Sequence, residues 1–216
     1  QRHHEAHVFR HLQKVAQFLT QEYRARSFDR LILAGPEEPI AELRNLLPRP
    51  LAERVVATPR FEITARPSEI LERTLDIERQ IERRGELDLV RDLFETADGG
   101  GGAVYGVSGT LEALWLGEVG ALVVADGLQL EGSECVSCGR LQAQQVEVCP
   151  ACGGEVRPVP DVVERAIERA LGQAAAVEIV HDEPAQQLLS RGGGMGAQLR
   201  FGLSPRTSTA RSAGSS

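Results

Sequence analysis

All four cysteines of this chain lie between residues 135 and 152, as Cys135-x-x-Cys138 and Cys149-x-x-Cys152. Two residues between paired cysteines let both thiolates turn toward one point, and Gly139 and Gly153 follow each pair where the chain must bend. Two such knuckles facing each other make tetrahedral S₄ coordination, the zinc-ribbon arrangement. Soft thiolates with no open position favour a structural Zn²⁺ held by Cys135, Cys138, Cys149 and Cys152. A redox dithiol and a disulfide-paired or metal-free state are the competing readings; neither CxxC pair opens a helix after a thioredoxin-like strand. The clustering argues against a secreted disulfide framework, whose cysteines spread through the chain, and points to a cytoplasmic protein.

Around the knuckle the pattern is α/β. Val8, Leu12, Val15 and Leu19 recur at helical spacing, predicting a helix over about residues 3–25. "FDRLILAG" (28–35) reads as a strand, "IAELRNLLP" (40–48) as a helix and "ERVVATP" (53–59) as a strand. Helix–strand–helix–strand is small for a complete α/β domain, so residues 1–66 read as part of one. Ser68 is the expected N-cap of a charged helix reaching residue 97, with Gly85 expected to interrupt it. "GGGG" (99–102) is a breaker without the Lys-Ser/Thr of a phosphate loop. Then come "AVYG", a helix in "SGTLEALWLGEVG", a strand at 121–127, the knuckle, a helix from Asp161 to Leu171, a strand at 176–182, a helix in "EPAQQLLS", the turn "RGGGMG" and a strand at 197–203. Residues 67–203 therefore read as an α/β/α sandwich with the knuckle inserted at 134–154, and the Ser/Arg/Gly-rich 204–216 as a disordered tail.

Charge is uneven. Residues 1–66 hold 11 Arg/Lys against 8 Asp/Glu, whereas residues 67–203 hold 11 against 23. A basic segment joined to an acidic one is open to two readings, two partners (a nucleic acid and a protein) or an uneven solvated surface. "HHEAH" is one residue short of the zincin HExxH. His3, His7 and His11 recur at i, i+4, i+8; a metal clamp, a solvated stripe and an RNA-facing stripe with Arg2, Arg10 and Lys14 are all open to them. No Ser/His/Asp set, paired carboxylates or Walker motif assembles, no small-molecule substrate is evident, and no stretch approaches a membrane span. The opening QRHHEAH has no apolar core of a signal peptide and no initiator Met, which reads as a piece of a longer protein.

The order of features is similar to a known family. "GGAVYGVSGTLEALWLGEVGALVVADG", a CxxC…CxxC insertion and "VVERAIERALGQAAAVEIVHDEPAQQLLSRGGGMGAQLRF" resemble the C-terminal domain of archaeal and eukaryotic-type class I peptide chain release factors and of their relative Pelota. Tyr105-Gly106, Gly120 through Val124 and Gly193 through Phe201 stand in the family's motif positions. "QRHHEAHVFRHLQKVAQFL" with "FDRLILAGP" resembles the middle domain of the same factors and their bacterial relatives. The resemblance implies a ribosome-binding protein of termination or rescue, with rRNA contact through the middle domain and a translational GTPase or recycling ATPase on the C-terminal domain. The family's peptide-releasing loop carries Gly-Gly-Gln, and this chain contains no such tripeptide. A Pelota-like rescue factor without hydrolysis and an RNA-binding adaptor of the kink-turn-binder type are the alternatives the resemblance leaves open.

Overall fold

A computed structural model describes residues 2–62 and 64–200, with side chains given from residue 6 onward. Two compact units divide between Ile81 and Glu82. The expected tail 204–216, and residues 201–203 of the expected last strand, lie outside the described residues.

In the first unit, α1 (Arg2–Arg26) lays its apolar stripe on α2 (Glu37–Leu46) and α3 (Arg49–Ala52). Leu12, Ala16, Leu33, Leu43, Leu47 and Leu51 form the core, with Val8, Val15 and Leu19 packed against it. Strands β1 (Leu31–Ile32) and β2 (Val55–Ala57) run parallel. Beyond them the chains stay side by side to a bridge between Gly35 and Arg60.

Helix α4 (Pro67–Asp98) begins one residue ahead of the expected cap. Pro67 occupies the first helical position, where its missing N–H costs nothing. The Glu69 carboxylate accepts from the Arg66 backbone N–H at 3.1 Å, the return half of a capping box, so Arg66 rather than Ser68 is the cap. Gly85 does not interrupt the helix. One glycine costs about 1 kcal/mol relative to alanine, too little to break a run of strong helix formers with a packed end.

The second unit is the expected α/β/α sandwich. Strands β3 (Ala103–Tyr105), β4 (Val119–Ala125), β8 (Ala176–Val180) and β9 (Met195–Leu199) order as β3-β9-β4-β8. β9 is antiparallel to both neighbours and β4 is parallel to β8. Alternation along β4 sends Leu122 and Val124 to one face and Val123 and Ala125 to the other. The first face is covered by α5 (Val107–Trp115) and α6 (Val162–Gly172). The second is covered by Val90, Leu93 and Phe94 of α4 and by α7 (Asp182–Gly192). Asp161 caps α6, its carboxylate accepting from Val163 and Glu164 N–H at 2.9 and 3.4 Å.

In the first unit β1 and β2 are shorter than the expected strands at 28–35 and 53–59, and α2 starts three residues ahead of the expected helix at 40–48; in the second unit three more ends shift. β4 starts at Val119, because α5 stops at Trp115. β8 stops at Val180, leaving His181 as the N-terminal flank of α7. α7 continues through Gly192 and β9 starts at Met195, so "RGGGMG" contributes only Gly193-Gly194 as a turn, with Gly194 N–H bonded to the Leu188 carbonyl at 3.1 Å.

Candidate metal centre

Between β4 and α6 the chain leaves the sandwich and builds a three-stranded antiparallel sheet, β6-β5-β7, from β5 (Gly132–Cys135), β6 (Leu141–Gln142) and β7 (Val156–Val159). Cys135 ends β5, and the second pair sits in the loop ahead of β7. The two pairs are built alike. Cys135 N–H donates to the Arg140 carbonyl and Cys149 N–H to the Gly154 carbonyl, both at 3.0 Å. Gly139 and Gly153 N–H return to the Cys135 and Cys149 carbonyls, both at 2.9 Å. Each of these turns closes on a left-handed residue, φ +71° at Gly139 and +72° at Gly153, which is why glycine follows both pairs.

The result brings the four Sγ atoms within 4.8 Å of one another. Cys135 and Cys152 sulfurs are 3.5 Å apart, Cys138 and Cys149 sulfurs 3.6 Å. These separations are far above a disulfide bond and close to the edge of roughly 3.8 Å of a tetrahedron with metal–sulfur bonds near 2.3 Å. The four thiols can hold a metal ion. Their acidities diverge: the Cys138 backbone N–H aimed at Cys135 brings that thiol down to about 6. Cys152 stands at about 12, because protons shared with Cys135 and Cys138 outweigh the Gly154 N–H that favours its thiolate. Four sulfurs this close cannot all ionise without a cation among them, which is the chemistry of a tetrahedral S₄ site.

The knuckle is fastened to the sandwich. Trp115 Nε1–H at the end of α5 donates to the Cys138 carbonyl at 3.2 Å, and Arg140 stacks over the Trp115 ring at 5.1 Å. Arg169 of α6 donates to the Gly139 carbonyl. Glu134, buried beside Cys135, is met by Arg157 of β7 at 2.6 Å, Arg165 at 3.3 Å and Arg169 at 3.2 Å. Burial pushes the Glu134 carboxyl up, and the hydrogen bond from Arg157 with the charge of Arg165 brings it net below its ordinary value. Sequence reasoning found the cysteines and missed these attachments. The available signal was Arg165 and Arg169 one helical turn apart on α6, presenting two cations to one side.

The other candidate residues lie in the first unit. His7, Arg10, His11 and Lys14 are exposed along α1, at spacings that place them on one face. The side chains of Arg2 and His3 lie outside the described residues. The cysteines are the one metal-type cluster among the described residues. No described helix is long and apolar enough to cross a membrane.

A β3-β9-β4-β8 sandwich carrying a four-cysteine knuckle between β4 and α6 makes this unit an α/β/α domain with an inserted metal-type knuckle, the region that a release-factor family model matches. Residues 84–203 match the family described as eRF1 domain 3, and with more than half of its length covered, the chain belongs to that family. Residues 1–79 match bacterial archaeo-eukaryotic release factor family 10. No curated protein matches the chain. Similar solved structures include the C-terminal domain of the peptide chain release factor from Methanosarcina mazei, 26% identical over 64% of this chain and 97% of that one, with a TM-score of 0.45. Archaeal Pelota, described as ribosome-bound together with ABCE1, is 19% identical over 90% of this chain and 50% of that one, TM-score 0.55. Dom34 of S. cerevisiae, described as a translation termination-like factor interacting with Hbs1, is 11% identical over 89% and 54%, TM-score 0.54. The chain thus spans about half the length of the Pelota and Dom34 chains it resembles.

Proposed function

We propose that this chain is part of a release-factor-like translation protein that binds the ribosome in termination or rescue. The observation that carries the reading is the match of residues 84–203 to eRF1 domain 3, a stretch that includes the sandwich and its metal-type knuckle. In this reading residues 1–66 are part of a middle domain facing the peptidyl-transferase centre, and residues 67–203 are the C-terminal domain. The neighbours described with ABCE1 and with Hbs1 support a protein partner of the recycling-ATPase or translational-GTPase type for the acidic C-terminal domain. The basic first segment suits rRNA, with Arg10 and Lys14 on phosphates and His7 and His11 beside them. The protein works in the cytoplasm.

The ion is Zn²⁺, bound by Cys135, Cys138, Cys149 and Cys152 in a structural role. All four positions are taken by sulfur, so none is left for a reactive water. Peptidyl-tRNA hydrolysis is not assigned to these residues, since the Gly-Gly-Gln that would position water is absent from them.

Co-sedimentation with ribosomes tests the reading. The chain is expected to pellet with ribosomes and to release no peptide from peptidyl-tRNA by itself. A chain that stays in the supernatant at low and moderate salt, while a Pelota control pellets, would remove the ribosome from the proposal.

A further inference from the structure

The first unit contains a cavity of about 550 Å³ that belongs to neither the metal centre nor the exposed face of α1. It opens at the carboxyl ends of the parallel strands β1 and β2, where Thr58 and Arg60 follow β2 and α2 follows β1. In open α/β sheets this is where ligands sit, because the loops leaving the strand ends diverge and leave a crevice. The volume is that of a small-molecule site.

Its lining is a donor set. Arg44, one turn along α2 from Ile40, lines the cavity, and its guanidinium makes no hydrogen bond or ion pair with any described residue. Arg60, just past β2, also lines the cavity; its one ion pair is with Glu37 at 3.8 Å, both side chains at least three-quarters exposed. Such a pair is worth little and is exchanged readily for a better acceptor. Asn45 adds an amide able both to donate and to accept, Thr58 adds a hydroxyl, and Ile40 adds an apolar wall. Two guanidinium forks lining one cavity suit a tetrahedral anion, and the remaining polar and apolar lining suits a ribose and base.

We propose that this cavity binds a phosphate-bearing ligand of nucleotide size, with Arg44 and Arg60 on the phosphate and Asn45 and Thr58 on the sugar or base. The phosphate belongs either to a free mononucleotide or to one nucleotide of an RNA strand. Glu37 competes for Arg60 and sets the affinity from the other side. The site stands on the cavity and its side chains alone and does not depend on ribosome binding.

Fluorescence anisotropy with a labelled single-stranded RNA of about ten nucleotides, and calorimetry with adenosine monophosphate, test it on the full chain. Arg44→Gln and Arg60→Gln should each weaken the bound probe about 10-fold or more, the cost of one charge-assisted contact. Glu37→Gln should tighten it several-fold by freeing Arg60. Arg49→Gln, an exposed arginine paired with Glu53 and outside the cavity lining, should leave binding unchanged. Arg44-sensitive binding of the mononucleotide identifies a free nucleotide. Arg44-sensitive binding of RNA alone identifies a strand, and each arginine removed should then lower the salt slope by about 0.7. If neither probe distinguishes Arg44→Gln and Arg60→Gln from Arg49→Gln, or if Glu37→Gln weakens binding, the site is overturned.

Discussion

A carboxylate taken out of water is stable only among cations, and Glu134 has three, Arg157, Arg165 and Arg169, drawn from β7 and α6. Removing it leaves the arginines without their common acceptor and loosens the knuckle from α6. Glu134→Ala should cost roughly 2–4 kcal/mol, below the value for a fully dry pair because the arginines stay partly solvated, and should lower the urea midpoint accordingly. The carboxyl is held below its ordinary 4.5, so its contribution is complete above that pH and fades as pH falls through the lower folded value. His181 behaves in the opposite sense. Glu86 accepts from its backbone N–H at 2.7 Å and lies 3.0 Å from Nδ1, a contact that raises the imidazole above 6.5. Its stabilisation is complete below 6.5 and lost as pH rises through the raised folded value. An NMR titration of the His181 ring should show that elevation, and Glu86→Gln should bring the midpoint back down. The cysteines were legible in the sequence because each pair, with its glycine, closes locally. Glu134 was not: its partners stand 23 to 35 residues away, and no local pattern links them.

Among elements, the glycines of α4 and β5 show how one residue type carries two meanings. Gly85 sits in mid-helix, and a methyl group there would touch nothing within 4 Å. Gly85→Ala should therefore stabilise the protein by about 0.5–1 kcal/mol, read as a rise in Tm. Gly132 sits where β5 crosses β6 so closely that a Cβ would run into the Gln142 carbonyl oxygen, with Val162 of α6 at 3.1 Å beyond. Gly132→Ala should cost about 2 kcal/mol or more, because backbone on one side and a buried valine on the other leave no room to yield. From the sequence Gly85 reads as a breaker and nothing marks Gly132, since a glycine's role depends on what approaches it. Strand β4 was legible for the converse reason: a run of Leu122, Val123 and Val124 needs two covered faces, and that requirement alone implies helices on both sides.

For the whole molecule the question is what the four-cysteine centre supports. The sandwich face packed by α4 and α7 is built from Val90, Leu93, Phe94, Val123, Val180 and Leu188 without a knuckle residue. The opposite face takes in one deeply buried knuckle side chain, Leu141, between α5 and α6. The three short strands β5, β6 and β7 have no comparable core of their own, so an S₄ centre supplies what apolar burial does not. On the proposed zinc-loaded protein, a strong chelator should then unfold the excursion and spare the sheet. Hydrogen exchange is expected to lose protection over residues 132–159, to weaken it modestly at α5 and α6, where Leu141 and the Arg169–Gly139 contact are lost, and to leave β4, β8 and β9 protected. Added Zn²⁺ should restore protection over 132–159, and Cys138→Ser should abolish that recovery. A simultaneous collapse of β4 and β8 would mean that the centre is part of the domain's own core. The knuckle would then be as indispensable to folding as the sheet, and could not vary independently as an appendage for a partner to read.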